Sequence, residues 1–181
     1  DGSTPFSPES GRYHLYVSHA CPWANRALIF RKIKKLESHI SVSVVDYFMG
    51  ENGWEFNDTY PDHLYQRNYM HQVYTKANPT YTGRVTVPVL WDKKNKTIVN
   101  NESSEIIRML NSEFNDLGDA SVDMYPDELR TEIDVLNSHI YSAVNNGVYK
   151  CGFAITQDAY DEAIDVLFSC LDELEERLNN S

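Results

Sequence analysis

The run Tyr13 to Ser18 (YHLYVS) alternates as a strand does, and almost at once Cys21-Pro22-Trp23-Ala24 opens a helical stretch reaching about Lys35. This junction limits the fold more than any other feature of the chain. Proline is best tolerated in the first turn of a helix, where its missing N–H costs nothing, so Pro22 marks a start rather than a break. Ile40 to Val45 (ISVSVV) then alternates with period two, the signature of a second strand. Strand, helix, strand in such short order implies a right-handed βαβ unit, because a twisted strand feeding a helix packs back onto its sheet only with that hand.

From Tyr47 to Tyr81 the pattern dissolves into turn-rich, aromatic sequence containing GENGWEF and NDTYPD, with a helix expected over Leu64 to Lys76. The stretch is long for a plain connection, and long insertions are usually functional or mobile. Val85 to Trp91 reads as a strand, Asp92 to Lys96 as a turn and Thr97 to Val99 as its return, a β-hairpin. Pro88 is anomalous there, since proline cannot donate to a ladder. Asn100-Asn101 are expected to cap a helix over Glu102 to Leu110, with Glu102 in the first turn. A polar stretch, Asp116 to Met124, reads as a linker. Beyond it Pro126 starts a helix carrying Leu129, Ile133, Leu136, Ile140 and Val144. A second helix carries Tyr160, Ile164, Leu167, Leu171, Leu174 and Leu178, a stripe that must be buried. Two helices cannot close a bundle, so further helices are expected to belong with them. The expected division is residues 1–117, a linker at 118–125, and 126–181 as the start of a helical part.

Composition removes several function classes. The net charge of −11 argues against a nucleic-acid partner. No window approaches the ~20 apolar residues of a membrane helix. Asp1 to Ser10 is polar, lacks the form of a secretory signal and does not begin with Met, so the front looks trimmed. Three cysteines, Cys21, Cys151 and Cys170, match no zinc or disulfide spacing; an odd count without a signal points to a reducing compartment, the cytoplasm.

Cys21 stands where a strand gives way to a helix, among unsatisfied amide N–H groups whose dipole favours the thiolate. Arg26, on the same helix, can add to this. Ala24 occupies the position of the second cysteine in a redox pair, so Cys21 has no neighbour to close a disulfide with and must finish its chemistry with an external thiol. The competing reading is a buried cysteine acting as a small hydrophobe, the reading that suits Cys170. A Cys–His protease pair lacks any local signature. A cis Pro88 would turn the Val87 backbone outward to pair with an extended peptide; an ordinary trans edge proline is the alternative. Glu102 and Ser103 at a helix start make an anion site that suits a ligand bearing both carboxylate and amine, although capping alone would also explain them.

The segments SHACPWANRALIFRK, ENGWEFND, GRVTVPVLWDKKNKTIVNNESSEIIRML and NNGVYKCGFA resemble the glutathionyl-hydroquinone reductases, also called Xi-class glutathione transferases. The resemblance implies an α/β thioredoxin-like N-terminal domain followed by an all-α C-terminal domain of glutathione transferase type, incomplete in this chain. It implies Cys21 as nucleophile and Tyr149 as proton donor. It further implies Trp54 covering glutathione, Arg84, Val85, Thr86 and Val87 holding its peptide backbone, and Glu102 and Ser103 holding its γ-glutamyl end. Glutathione is then a co-substrate, no metal is required, glutathionylated hydroquinones are the substrates and a homodimer is expected. The chain departs from the family pattern at His19 and Asn25, to which no role is attached. Two other readings stay open: an Omega-like thioltransferase acting on general mixed disulfides, and a binding module without catalysis, against which Cys21-Pro22 argues.

Overall fold

The computed structural model describes residues 5–180; Asp1 to Thr4, the first part of the expected N-terminal extension, and Ser181 lie outside the described residues. The chain forms two compact units, Asp1–Met124 and Tyr125–Ser181.

Along the first unit run β1 (Tyr13–Ser18), α1 (Pro22–Ile33), β2 (Ile40–Val45), β3 (Met49–Gly50), β4 (Gly53–Trp54), α2 (Met70–Ala77), β5 (Val89–Asp92), β6 (Thr97–Asn100) and α3 (Ser103–Ser112). The main sheet has the order β2-β1-β5-β6. β1 and β2 are parallel, with Tyr13 facing Ile40 and Ser18 facing Val45, while β5 pairs antiparallel with both β1 and β6. This is the thioredoxin-like order expected from the sequence.

β1 is buried at every residue, so its alternation of residue types does not divide a wet face from a dry one. Its one imidazole is satisfied internally: His14 Nδ1 lies 2.7 Å from Ser41 Oγ and Nε2 2.9 Å from Ser43 Oγ, both on β2. Burial above all, then the charges of Lys93, His63 and Arg31, pushes this imidazole down to about 3. A histidine whose folded value lies below its unfolded one stabilises the fold fully above about pH 6.5, and that contribution is lost as pH falls toward the folded value. Stability should therefore drop by about 2 kcal/mol between pH 6.5 and pH 5 from this residue alone. Urea unfolding across that range, with the His14 ring followed by NMR, checks it; a His14 ring that gains its proton near pH 6.5 would sink the account.

Helix α1 ends because Lys35 takes a left-handed conformation, φ 54°. The Leu36 amide then donates back to Arg31 O at 2.8 Å and Lys35 N–H to Lys32 O at 3.0 Å, a Schellman closure sealed by the fully buried Leu36. The expected helix over Leu64 to Lys76 forms only from Met70 to Ala77. The Asp62 carboxylate accepts from the amides of Leu64, Tyr65 and Arg67, which winds that stretch into turns, with Gln66 at φ 52°. The expected strand over Val85 to Trp91 likewise pairs only from Val89, and the Val87–Pro88 bond before it is cis.

The polar 116–124 stretch is bonded to the first unit. Asp119 N–H donates to Lys34 O at 2.8 Å, buried Lys34 Nζ donates to Val122 O at 2.6 Å, and Asn111 Nδ2 reaches Asp123 at 2.7 Å. Gly118 passes so near this junction that a Cβ there would lie 2.3 Å from Lys34 O, so only glycine fits.

In the second unit a 3₁₀ turn, Asp127–Leu129, leads into α4 (Arg130–Ile140), a π turn at Tyr141–Asn145, α5 (Gly147–Gly152) and α6 (Gln157–Asn179). Thr156 caps α6 by accepting from Ala159 N–H. Ala143, Gly147, Ala163, Leu167 and Cys170 form the buried centre. Burial, with Glu173 beside it, pushes the Cys170 thiol up, as fits a packing cysteine. The expected stripe is only partly covered: Leu167 is buried, Ile164 and Leu174 are half-buried, and Tyr160, Leu171 and Leu178 are exposed. Among the described residues no helix is long and apolar enough to cross a membrane.

Candidate functional site around Cys21

Cys21 is the N-cap residue of α1, extended at φ −98° and ψ 111°. Its carbonyl accepts from Ala24 and Asn25 N–H at 3.1 Å each, which starts the helix, and its own amide is held by Ser18 O at 3.2 Å. Among the described residues no side chain caps this helix. The sulfur therefore stands at the positive end of the α1 dipole. Sγ donates to Val87 O at 3.4 Å, joining the thiol to the strip that precedes β5. Cys21, Cys151 and Cys170 are all free thiols, and Ala24 is fully buried at the position a resolving cysteine would take.

The strip Arg84–Val87 is held by aromatic hydroxyls that sequence reading did not single out. Tyr74, on α2, accepts from Thr86 N–H at 3.3 Å and donates to Thr86 O at 2.9 Å, while Tyr81 donates to Arg84 O at 2.7 Å. Asn101 Nδ2 reaches Tyr74 Oη at 3.2 Å and Thr86 Oγ1 at 3.4 Å, tying the strip to the start of α3. Arg84 and Thr86 are exposed, Val85 is half-buried and Val87 is buried. Tyr74 carries no motif that would have marked it, and Asn101 reads in the sequence only as a candidate cap; only the folded chain brings them to Thr86.

At the head of α3 the cap is Glu102 itself, not the preceding asparagines. Its carboxylate accepts from Ser104 N–H at 3.1 Å, and Asn100 Oδ1 accepts the Glu102 amide at 2.6 Å. Ser103 is buried and half-wrapped by Arg26, whose Nε and Nη2 both donate to Ser103 Oγ, at 3.0 and 2.7 Å. Arg26 also lies 3.6 Å from Glu102 and stacks over Trp23 with its guanidinium 5.0 Å from the ring centre. The arginine expected to support the thiolate thus binds the Glu102-Ser103 pair. Two contact pairs, Cys21 with Val87 and Arg26 with the Glu102-Ser103 pair, thus lie on one unit, and Asn101 ties the strip that carries Val87 to the start of α3.

Trp54 closes the short β3–β4 hairpin opposite Met49 and lies half-buried against the core of the first unit. Tyr149 belongs to the second unit, on α5, and is stacked parallel on Phe153 with ring centres 6.4 Å apart. Met49 beside Trp54, with Tyr47 and Phe48 just before it, is exposed.

Residues 20–113 match the family model described as glutathione S-transferase, N-terminal domain. The chain is 58% identical over 176 residues to the glutathionyl-hydroquinone reductase PcpF of Sphingobium chlorophenolicum, covering 96% of this chain and 56% of that protein. The glutathione-bound structure of YqjG, a glutathione transferase homologue from Escherichia coli K-12, superposes with a TM-score of 0.94 at 57% identity, covering 99% of this chain and 60% of that one. Glutathione transferase Xi 1 from Trametes versicolor gives a TM-score of 0.94 at 53% identity, covering 99% of this chain and 65% of that one. The chain spans about half the length of the curated relatives it matches.

Proposed function

Since the chain belongs to the glutathione S-transferase family, on its Xi-class branch, we propose that it serves the reduction of glutathionyl-hydroquinones to hydroquinones, with glutathione as co-substrate and Cys21 as nucleophile. The observation that carries this reading is the Cys21 sulfur at a helix start, 3.4 Å from the carbonyl of Val87. A peptide laid along Arg84–Val87, its γ-glutamyl end toward Glu102 and Ser103, would bring its own sulfur to Cys21. Trp54 is the proposed cover over that peptide, its ring supplying apolar area and its N–H a polar handle.

Two exchange steps follow. The Cys21 thiolate attacks the glutathionyl sulfur, forming a Cys21–glutathione disulfide. The sulfur–carbon bond to the ring breaks with its electron pair on the ring carbon, which takes a proton; Tyr149 is the proposed donor. A second glutathione, as thiolate, then attacks the glutathione sulfur of the mixed disulfide and restores Cys21. The ring carbon is reduced, and the substrate's glutathionyl group and one free glutathione thiol end joined as one oxidised glutathione. A homodimer in the cytoplasm, with no metal, completes the reading.

Incubating the protein with a glutathionyl-hydroquinone and free glutathione should release hydroquinone and oxidised glutathione in equal amounts. Turnover of general glutathione mixed disulfides without any hydroquinone release would favour an Omega-like thioltransferase. Glutathione binding with neither reaction would favour a non-catalytic module.

A further inference from the structure

We infer that Arg26 is the specificity-determining residue for the γ-glutamyl end of glutathione: by holding Ser103 as a hydrogen-bond donor, it selects ligands with a free α-carboxylate beside the α-amine. The inference rests on the placement of glutathione proposed above and gives Arg26 a role at the γ-glutamyl end that the sequence motifs did not assign. A serine hydroxyl has one proton to give and two lone pairs to accept with. Arg26 donates twice into Ser103 Oγ, from Nε at 3.0 Å and Nη2 at 2.7 Å, so the accepting side is filled. What Ser103 can still offer a ligand is its proton.

The present acceptor of that proton is poor. Glu102 Oε1 stands 3.5 Å from Ser103 Oγ and already takes the Ser104 amide and hydroxyl, at 3.1 and 3.0 Å. An incoming carboxylate is a better acceptor, and it would meet two positive influences at once: the guanidinium and the N-terminus of α3, a helix of ten residues. Glu102, 3.6 Å from Arg26, adds negative charge beside it for the amine. The order of the groups, donor hydroxyl beside carboxylate, matches an α-amino acid end and mismatches an amine alone.

Arg26 is also fixed from the thiol side. It lies on α1, the helix that Cys21 caps, and its guanidinium is stacked over Trp23. A ligand carboxylate anchored through Ser103 is thereby referenced to the same helix as the attacking sulfur. Arg26 is a positioning residue in this sense, acting on the ligand through Ser103. The competing account is a structural staple between α1 and α3 that has no bearing on which ligand binds.

Calorimetric binding of two ligands separates the accounts: glutathione, and γ-aminobutyryl-cysteinylglycine, which keeps the amine and lacks the α-carboxylate. The wild-type protein should favour glutathione by about 10–100-fold, the worth of a charge-assisted bond or two. In Arg26→Gln that preference should collapse toward unity, chiefly through weaker glutathione binding. Arg26→Lys, which keeps the charge but not the fork, should recover only part of it. A ratio of affinities that is the same in Arg26→Gln and wild type overturns the inference, as would a wild-type protein that binds both ligands equally. Binding needs no turnover, so a failure of the reductase reading would appear separately, as absent hydroquinone release with the preference intact.

Discussion

Cys21→Ser should lower glutathionyl-hydroquinone turnover on the order of 10³-fold or more, the scale of loss when an attacking group is deleted. Oxygen replaces sulfur at nearly the same place: serine can keep the hydrogen bond to Val87 O and still cap α1, where it is a preferred residue. The fold should therefore survive, and the loss can be assigned to chemistry. A serine hydroxyl is not ionised near neutral pH and cannot form a disulfide, so neither exchange step remains. Cys151→Ser and Cys170→Ala should keep turnover per folded molecule, because neither thiol takes part in the exchange steps and Cys170 is buried in packing with its thiol pushed up. Mass spectrometry adds a direct readout. Wild-type protein given glutathionyl-hydroquinone without free glutathione should carry one glutathione on the peptide containing Cys21, and Cys21→Ser should carry none. Wild-type turnover in Cys21→Ser would refute the thiol mechanism outright.

The parts of the site legible in the sequence are those written locally. Strand, Cys-Pro and helix lie within a few residues of one another, so Cys21 could be placed at the head of α1 from periodicity and proline alone. ISVSVV was legible because its residue types alternate, although Ser43 on this edge strand is buried between half-buried Val42 and Val44; β1, covered on both faces, likewise hides its orientation from its pattern. What escaped was long-range or electrostatic. Arg26 and Ser103 stand 77 positions apart, and nothing near either announces the bond. The Tyr74–Thr86–Asn101 network depends on α2 starting at Met70, six residues later than expected, because one carboxylate, Asp62, claims the amides that a helix would have used. The strand over Val85 to Val87 was misread for a related reason: its apolar alternation is real, yet its backbone is bonded to Tyr74 and Cys21 instead of a neighbouring strand.

Asp92→Ala should cost about 3–5 kcal/mol of stability, the usual consequence of removing one partner from a buried ion pair. Arg12 and Asp92 are both almost wholly buried and meet as a fork, Nε to Oδ1 at 3.0 Å and Nη2 to Oδ2 at 2.5 Å. Arg12 also donates to Pro5 O, Ser7 O and Glu9, which fastens the start of the described chain. Asp92 accepts from the amides of Lys94 and Asn95, which shapes the β5–β6 turn. Deleting the carboxylate strands a buried guanidinium and loosens both segments. Burial pushes the Asp92 carboxyl up, but the Arg12 bond and the two amides outweigh it, so the carboxyl lies below its ordinary range. Its contribution is therefore complete above about pH 4 and is lost only as pH falls through that lower folded value. The gap between wild type and Asp92→Ala should accordingly stay constant from pH 7 to about pH 4, a range in which the His14 effect lowers both proteins alike. Replacing both partners by apolar residues, Arg12→Met with Asp92→Leu, should restore much of the loss, since no uncompensated charge then remains. Urea unfolding of wild type and the two variants measures all of this, and a cost below about 1 kcal/mol for Asp92→Ala, the scale of an exposed surface pair, would show that the buried pair does not hold the strand ends together.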